Sequence, residues 1–74
     1  MVYRITGVKL RWSDELRRYV AVERETVHRA RNGDLAYYED LSHAKRGLIG
    51  FKGNGAGYID YRIEGADAEW HEVV

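Results

Sequence analysis

The stretch that decides the fold is Asp34–Tyr61, DLAYYEDLSHAKRGLIGFKGNGAGYIDY. In its first half, apolar side chains recur at steps of three and four residues: Leu35, Tyr38, Leu41, Ala44 and Leu48. This spacing places them on one stripe of a helix, which predicts a helix that covers a sheet. The second half has glycine at 50, 53, 55 and 57. Because glycine loses the most backbone freedom on ordering, we expect the helix to end at Gly50 and a glycine-rich connector to follow.

The segment after this connector has the period of a strand. Ile59, Tyr61 and Ile63 alternate with charged residues, which is typical of a half-buried strand. A second strand over 69–74 would complete a hairpin around the loop 65–68. The predicted register places two pairs opposite each other, Ile63 with Trp70 and Ile59 with Val74.

The chain begins with another strand pattern. Val8, Leu10 and Trp12 alternate with basic residues, while Tyr3 and Ile5 have the opposite parity. A β-bulge at Thr6-Gly7 would bring both sets to one face.

The segment 13–33 is compatible with two structures. As a helix it has a serine cap, acidic residues in the first turn and Asn32-Gly33 as a stop signal. As a strand it pairs with the first strand through a five-residue turn, Ser13–Arg17. The register would then be Leu10 with Val20, Val8 with Val22 and Trp12 with Arg18. Its β-branched residues favour a strand over 18–27.

Asn32-Gly33 also has two interpretations. It can lead directly into the helix, or form a tight hairpin turn toward Leu35–Tyr38. The first interpretation gives a single α+β domain over 1–74. Its architecture has two layers, an antiparallel sheet of four or more strands with one helix packed across it, in the order ββαββ.

Composition limits the function classes. Twelve basic and twelve acidic residues give no net charge, so nucleic acid is disfavoured as a direct ligand. The absence of cysteine excludes disulfides and thiolate chemistry and fits a reducing cytoplasm. No stretch approaches the roughly 20 apolar residues that a membrane span requires.

Catalytic and metal-binding patterns are absent from the sequence. His28, His43 and His71 are 15 and 28 residues apart, without the spacing of a metal site. The glycine-rich run follows the helix and precedes a strand, the reverse of the order in phosphate-binding loops. We therefore expect no enzyme activity, no metal and no cofactor.

One basic group is a candidate surface for binding a partner. Lys45 and Arg46, with Phe51 and Lys52, place cations near an aromatic side chain that we expect to be exposed. Such residues can simply be a solvated helix end, where cations suit the helix dipole. As a binding surface they fit an acidic or phosphate-bearing partner.

A second candidate surface is an aromatic strand. Gly57-Tyr58-Ile59-Asp60-Tyr61 matches the end of the aromatic strand signature of RNA-recognition motifs. In this alternative the protein binds single-stranded nucleic acid by stacking bases on Tyr58 and Tyr61. The competing interpretation is that these tyrosines pack in the core.

The run Asp40–Arg46, DLSHAKR, is followed by a glycine and a strand hairpin with a late tryptophan. It resembles small phage-encoded anti-CRISPR proteins of ββαββ(β) build that act on type I-F surveillance complexes, over residues 35–74. The resemblance implies a non-enzymatic inhibitor that binds the crRNA-guided complex of the host and blocks DNA hybridisation. Lys45 would take the place of that family's helix lysine. The sequence departs from the family at Gly47, where we expect the helix to be interrupted.

Overall fold

The structure is a computed structural model, which describes residues 1–29, 32–54, 57–66 and 69–74. Its elements are β1 (Val2–Ser13), β2 (Arg18–Thr26), β3 (Tyr37–Tyr38), α1 (Leu41–Asn54), β4 (Tyr58–Ala66) and β5 (Trp70–Glu72). The antiparallel sheet has the order β2-β1-β4-β5, and β3 also pairs with β1. The helix packs on one face of this sheet. The predicted α+β class is confirmed, with β3 as an additional short strand.

The strand predicted over 18–27 is confirmed as β2, but the predicted register was wrong. Ser13 pairs with Arg18, so only four residues form the turn, and Arg17 adopts a positive φ of 52° in it. This shift places Trp12 opposite Tyr19 instead of Arg18, and Leu10 opposite Ala21 instead of Val20.

A second irregularity in this hairpin adds one residue to β2. Two residues, Val22 and Glu23, lie between the partners of Leu10 and Val8. Val8 therefore lies opposite Arg24 and not opposite Val22 as predicted. Such a bulge increases the local twist of the strand pair.

A bulge was expected in β1 at Thr6-Gly7. The bulge lies at this level of the sheet, but its extra residue belongs to the neighbouring strand β4. Between Thr6 and Val8 the register with β4 shifts, and Asp60, with a φ of 52°, lies at the shift. A Cβ atom at Gly7 would lie 2.9 Å from the Cβ of Tyr58, so only glycine fits this approach. Because the bulge changes the alternation of β4, Tyr58 and Tyr61 turn to the same face, that of the helix.

The C-terminal hairpin forms, in a different register from the predicted one. Glu64 pairs with Glu72, and Ala66 pairs with Trp70. The predicted pairs of Ile63 with Trp70 and Ile59 with Val74 were therefore wrong. β4 continues through the expected turn because Gly65 packs closely against Tyr3, where a Cβ atom would come within 3.2 Å of the ring. Asp67 and Ala68 of the predicted loop lie outside the described residues.

The helix begins six residues later than Leu35, where its stripe was predicted to start. The carboxylate of Asp40 accepts a hydrogen bond from the amide of Ser42 at 2.7 Å, and the carbonyl of Asp40 accepts from Ala44 at 3.1 Å. Asp40 is thus the N-cap. The hydrogen bond from the Ser42 amide lowers the pKa of Asp40 below its ordinary value. Before the cap, Tyr37 and Tyr38 are extended because they pair with Arg4 and Tyr3 of β1.

The helix also continues past its predicted end at Gly50, through Gly53 to Asn54. Glycine costs about 1 kcal/mol in a helix, and burying Leu48 and part of Phe51 offsets that cost. The expected interruption at Gly47 was wrong as well, because the ring of Tyr38 packs directly on this glycine. The predicted connector over 50–57 therefore begins later, and Gly55 and Ala56 lie outside the described residues.

Asn32-Gly33 belongs to a tight turn and does not lead into the helix, which corrects the favoured interpretation. Gly33 has a φ of 75°, and its amide donates to the carbonyl of Arg29 at 2.8 Å. His28 and Leu35 form a bridge after this turn. The chain therefore folds back toward β1 before it enters the helix.

The core lies between the helix and the middle of the sheet. It contains Ile5, Val27, Ala36, Ala44, Leu48, Tyr58 and Ile63. The molecule measures 42 × 25 × 19 Å, and twelve residues of β1 span about 40 Å at the rise of a strand. The part of the β1–β2 hairpin over residues 9–23, here called the arm, supplies no residue to this core.

Candidate binding surface

The predicted basic group does not form one cluster. At about 100° per residue, Lys45 and Lys52 lie on one flank of the helix with Ile49 between them. Arg46 lies about 100° away around the helix axis. All three cations are exposed, and Ile49 is 73% exposed.

Phe51 is not the exposed aromatic that we expected in this group. Its side chain is half-buried and packs against the core, with its ring centroid 6.2 Å from that of Tyr61. Phe51 therefore stabilises the helix on the sheet. The predicted role of Lys45, Arg46 and Lys52 in partner binding stays a prediction.

The two tyrosines of the aromatic strand lie on the helix-facing side of the sheet. Tyr58 is 8% exposed, and its ring lies 6.2 Å from that of Tyr61. The hydroxyl of Tyr58 donates to Glu25 Oε1 at 3.1 Å, and Lys9 Nζ lies 4.6 Å from the ring centroid. Burial, followed by the hydrogen bond to Glu25, raises the pKa of Tyr58. The interpretation of Tyr58 as part of an open stacking face is therefore wrong.

The opposite face of the sheet has a polar centre in which arginines are paired. Arg24 contacts Asp60 at 2.6 Å and donates to Thr6 Oγ1 at 3.0 Å. Arg62 lies 3.3 Å from Asp60 and 3.3 Å from Glu72. These carboxylates compensate the cations across three strands.

Another paired arginine, Arg4, lies at the C-terminal edge of the same face. Arg4 contacts Glu64 at 2.7 Å, and its guanidinium lies 4.1 Å from the ring centroid of Trp70. The Trp70 ring lies 5.9 Å from that of Tyr37. This stack holds β5 and β3 against the central strand β1. The exposed rings of Trp70 and Tyr37 therefore have a structural role.

The arm holds exposed aromatic side chains that no core contact explains. Trp12, Leu16 and Tyr19 are 51%, 55% and 65% exposed. The rings of Trp12 and Tyr19 meet edge to face, with centroids 5.2 Å apart at 74°. The indole of Trp12 donates to Asp14 Oδ1 at 3.0 Å, and the amide of Leu16 donates to Ser13 Oγ at 3.2 Å. The Trp12 and Tyr19 rings are therefore held against each other on one face of the arm, and Leu16 is exposed in the turn beside them.

Sequence reasoning missed this surface because of the register. Pairing Trp12 with Arg18 placed a cation beside the indole and separated the two aromatic rings. The observed four-residue turn brings Trp12 and Tyr19 together on one face. The alternation of apolar residues along β1 could have revealed these residues, because it continues over more residues than the core of a small domain can bury.

Within the described parts of the chain, no three His, Cys, Asp or Glu side chains come together as a metal site. In the same residues, no helix has the length and apolarity needed to cross a membrane.

Comparison with known proteins gives no relative. No protein-family model matches the chain, no curated protein is significantly similar to it, and no solved structure matches its fold at a significant level.

Proposed function

We propose that this protein is a small non-enzymatic binding protein that acts by protein–protein contact through the apolar face of the arm. The observation that carries this proposal is the exposed pair of Trp12 and Tyr19, whose rings meet edge to face on a hairpin outside the core, with the exposed Leu16 in the turn between their strands. Tryptophan and tyrosine are enriched among the residues that dominate binding energy in protein interfaces.

Burying the exposed area of these rings against a partner would contribute more free energy than their pairing contributes to the hairpin. A cross-strand aromatic pair contributes roughly 0.2–1 kcal/mol to a hairpin. An aromatic side chain that is about half exposed still has on the order of 100 Å² to bury, worth about 2.5 kcal/mol at roughly 25 cal/mol per Å². Two such rings, Trp12 and Tyr19, offer about 5 kcal/mol before the costs of association. Their fixed geometry lowers the ordering part of those costs.

Within this class, the resemblance of residues 40–46 to anti-CRISPR proteins supports a specific target. We propose the crRNA-guided surveillance complex of a host bacterium as the partner, with the chain encoded by a phage or mobile element. Such an inhibitor acts in the host cytoplasm. Lys45, which is exposed on the helix, would contribute to this contact. The arm lies outside the region of resemblance and would add a second contact.

The test compares three immobilised proteins: wild type, Trp12→Ser/Tyr19→Ser and Val74→Ser. Val74 is the matched control because it is an exposed apolar residue, 48% exposed, outside both the arm and the helix. Each is incubated with bacterial lysate, captured proteins are identified by mass spectrometry, and the binding is reproduced with the purified partner. Circular dichroism checks that each variant is folded.

We expect wild type and Val74→Ser to retain the same partner and the arm variant to lose it. Equal retention by all three proteins would contradict the role of the arm. For the specific target, a purified type I-F surveillance complex is mixed with wild type or Lys45→Glu, and hybridisation of target DNA is measured. Hybridisation that wild type leaves unchanged would exclude this target.

A further inference from the structure

The arm has two faces of opposite character. Side chains alternate along a strand, and cross-strand partners share a face. One face has the apolar pairs Leu10 with Ala21 and Trp12 with Tyr19. The other face has the basic residues Lys9, Arg11 and Arg18, together with Ser13 and Val20.

The arginines on the basic face differ from those in the centre of the sheet. Arg4, Arg24 and Arg62 each contact a carboxylate within the molecule. Among the described residues, neither Arg11 nor Arg18 makes an ion pair or a side-chain hydrogen bond, and both are exposed. Their guanidinium donors have no partner among the described residues and are available for a bidentate contact with an external carboxylate.

The end of the helix lies close to the base of this basic face. The carbonyl of Gly57 accepts a hydrogen bond from the amide of Leu10 at 2.9 Å. Three Cα–Cα steps of 3.8 Å separate Asn54 from Gly57, so the end of α1 lies within about 11 Å of that residue. Lys52, in the last turn of the helix, adds a cation on this side of the molecule.

We infer that the partner is a protein with a cleft that has one apolar wall and one acidic wall, and that this cleft encloses the arm on both faces. This inference rests on the proposed function and specifies the chemistry of its partner. The apolar wall covers Trp12, Leu16 and Tyr19, and the acidic wall pairs with Arg11 and Arg18. A protein fits better than nucleic acid because phosphates would pair only with the basic face and leave the apolar face uncovered. The chain also has no net charge, which disfavours nucleic acid as a ligand.

The probe is a random peptide library displayed on phage and selected against the immobilised full chain. Selected peptides are synthesised, and their affinities for four proteins are measured: wild type, Arg11→Glu/Arg18→Glu, Trp12→Ser/Tyr19→Ser and Lys45→Glu/Arg46→Glu. The last variant reverses two cations on the helix and changes the net charge by the same amount. Because Lys45 belongs to the proposed contact, this variant measures how much of any loss of binding comes from the helix. Circular dichroism and melting curves confirm the fold of each variant.

We expect peptides that combine apolar residues with Asp or Glu. Arg11→Glu/Arg18→Glu should weaken their binding at least about tenfold, because like charges then face each other. Replacing the acidic residues of the peptide with lysine should restore affinity for this variant. Lys45→Glu/Arg46→Glu should weaken the binding of these peptides less than Arg11→Glu/Arg18→Glu does, and an equal or larger loss would contradict the acidic wall on the arm.

Failure of this inference can be distinguished from failure of the proposed function. If binding is lost in Trp12→Ser/Tyr19→Ser but unchanged in Arg11→Glu/Arg18→Glu, the acidic wall is contradicted and the apolar contact remains. If neither variant changes binding, both ideas are overturned. A labelled DNA duplex or single strand is tested in parallel at physiological salt. Submicromolar, salt-sensitive binding that Arg11→Glu/Arg18→Glu abolishes would overturn the inference in favour of a nucleic-acid partner.

Discussion

Alanine substitution at two glycines of α1 should have opposite effects on stability. Gly47 and Gly50 are one turn apart in the same helix, and alanine is favoured over glycine in a helix interior by about 1 kcal/mol. At Gly50 a Cβ atom would meet nothing within 4 Å. Gly50→Ala should therefore increase the free energy of unfolding by roughly 0.5–1 kcal/mol.

At Gly47 the same methyl group has no room. It would lie 2.8 Å from Cζ of Tyr38, closer still to the hydroxyl of that residue, and 3.1 Å from Cδ1 of Ile5. Ile5 is fully buried, and the guanidinium of Arg29 lies 4.9 Å from the Tyr38 ring centroid. To remove this overlap, the Tyr38 ring must move out of its position between the helix and Arg29. Overpacking of this kind typically costs 1–3 kcal/mol, which exceeds the gain in helix propensity. We expect Gly47→Ala to be about 1–2 kcal/mol less stable than wild type.

The assay is urea denaturation followed by circular dichroism for wild type, Gly47→Ala, Gly50→Ala and Gly47→Ala/Tyr38→Phe. The Tyr38→Phe change removes the atom closest to the new methyl group, so the double variant should recover part of the loss. A corresponding Tyr38→Phe single variant completes the cycle and isolates the coupling between the two sites. Equal stabilisation by alanine at both glycines would refute the close packing of Tyr38 on the helix.

Three further predictions concern the sheet and the helix cap. Gly7→Ala should destabilise by about 1–3 kcal/mol because its methyl group would meet the Cβ of Tyr58 at 2.9 Å, as chemical denaturation can measure. Because the pKa of Asp40 is lowered in the folded state, its ionised carboxylate stabilises the fold. This stabilisation is complete above the unfolded pKa of about 3.9 and is lost as pH falls through the lower folded pKa. Asp40→Asn keeps a cap acceptor that does not titrate, so melting temperatures in acid should fall less steeply than in wild type. Trp70→Ala should release the C-terminal strand and accelerate amide hydrogen exchange at Ile63, which donates to the carbonyl of Val74, two residues beyond that strand, at 2.7 Å; unchanged exchange would contradict the fastening role of the Trp70 stack.

The sequence alone was sufficient for the types of the main elements. Alternation of apolar and charged residues predicted β1 and β4, and β-branched residues favoured β2 over a helix in the ambiguous segment. These signals succeed because each reflects which face of a single element is buried, a property that neighbouring residues encode. They also predicted the α+β class and one helix across an antiparallel sheet.

The limits of the helix depended on contacts that are distant in sequence. Tyr38 fits the helical period, yet Tyr37 and Tyr38 form a short strand because residues 3 and 4 of β1 extend beyond its last pair with β2, Thr6 with Thr26, and can pair with them. Gly50 and Gly53 resemble a stop signal, yet the helix continues through them because Phe51 reaches the sheet. Local preference was outweighed in both places by burial and by backbone pairing.

The candidate surface also depended on tertiary structure. Which residue lies opposite Trp12 depends on one residue of turn length, and a shift of one residue in register exchanges Arg18 for Tyr19. The bulge at Asp60 turns Tyr58 and Tyr61 inward together, which converts an apparent stacking face into part of the core. Sequence thus determined which side chains are available. Register and bulges decided which of them meet and which face solvent, because a single added residue reverses the alternation of every side chain beyond it.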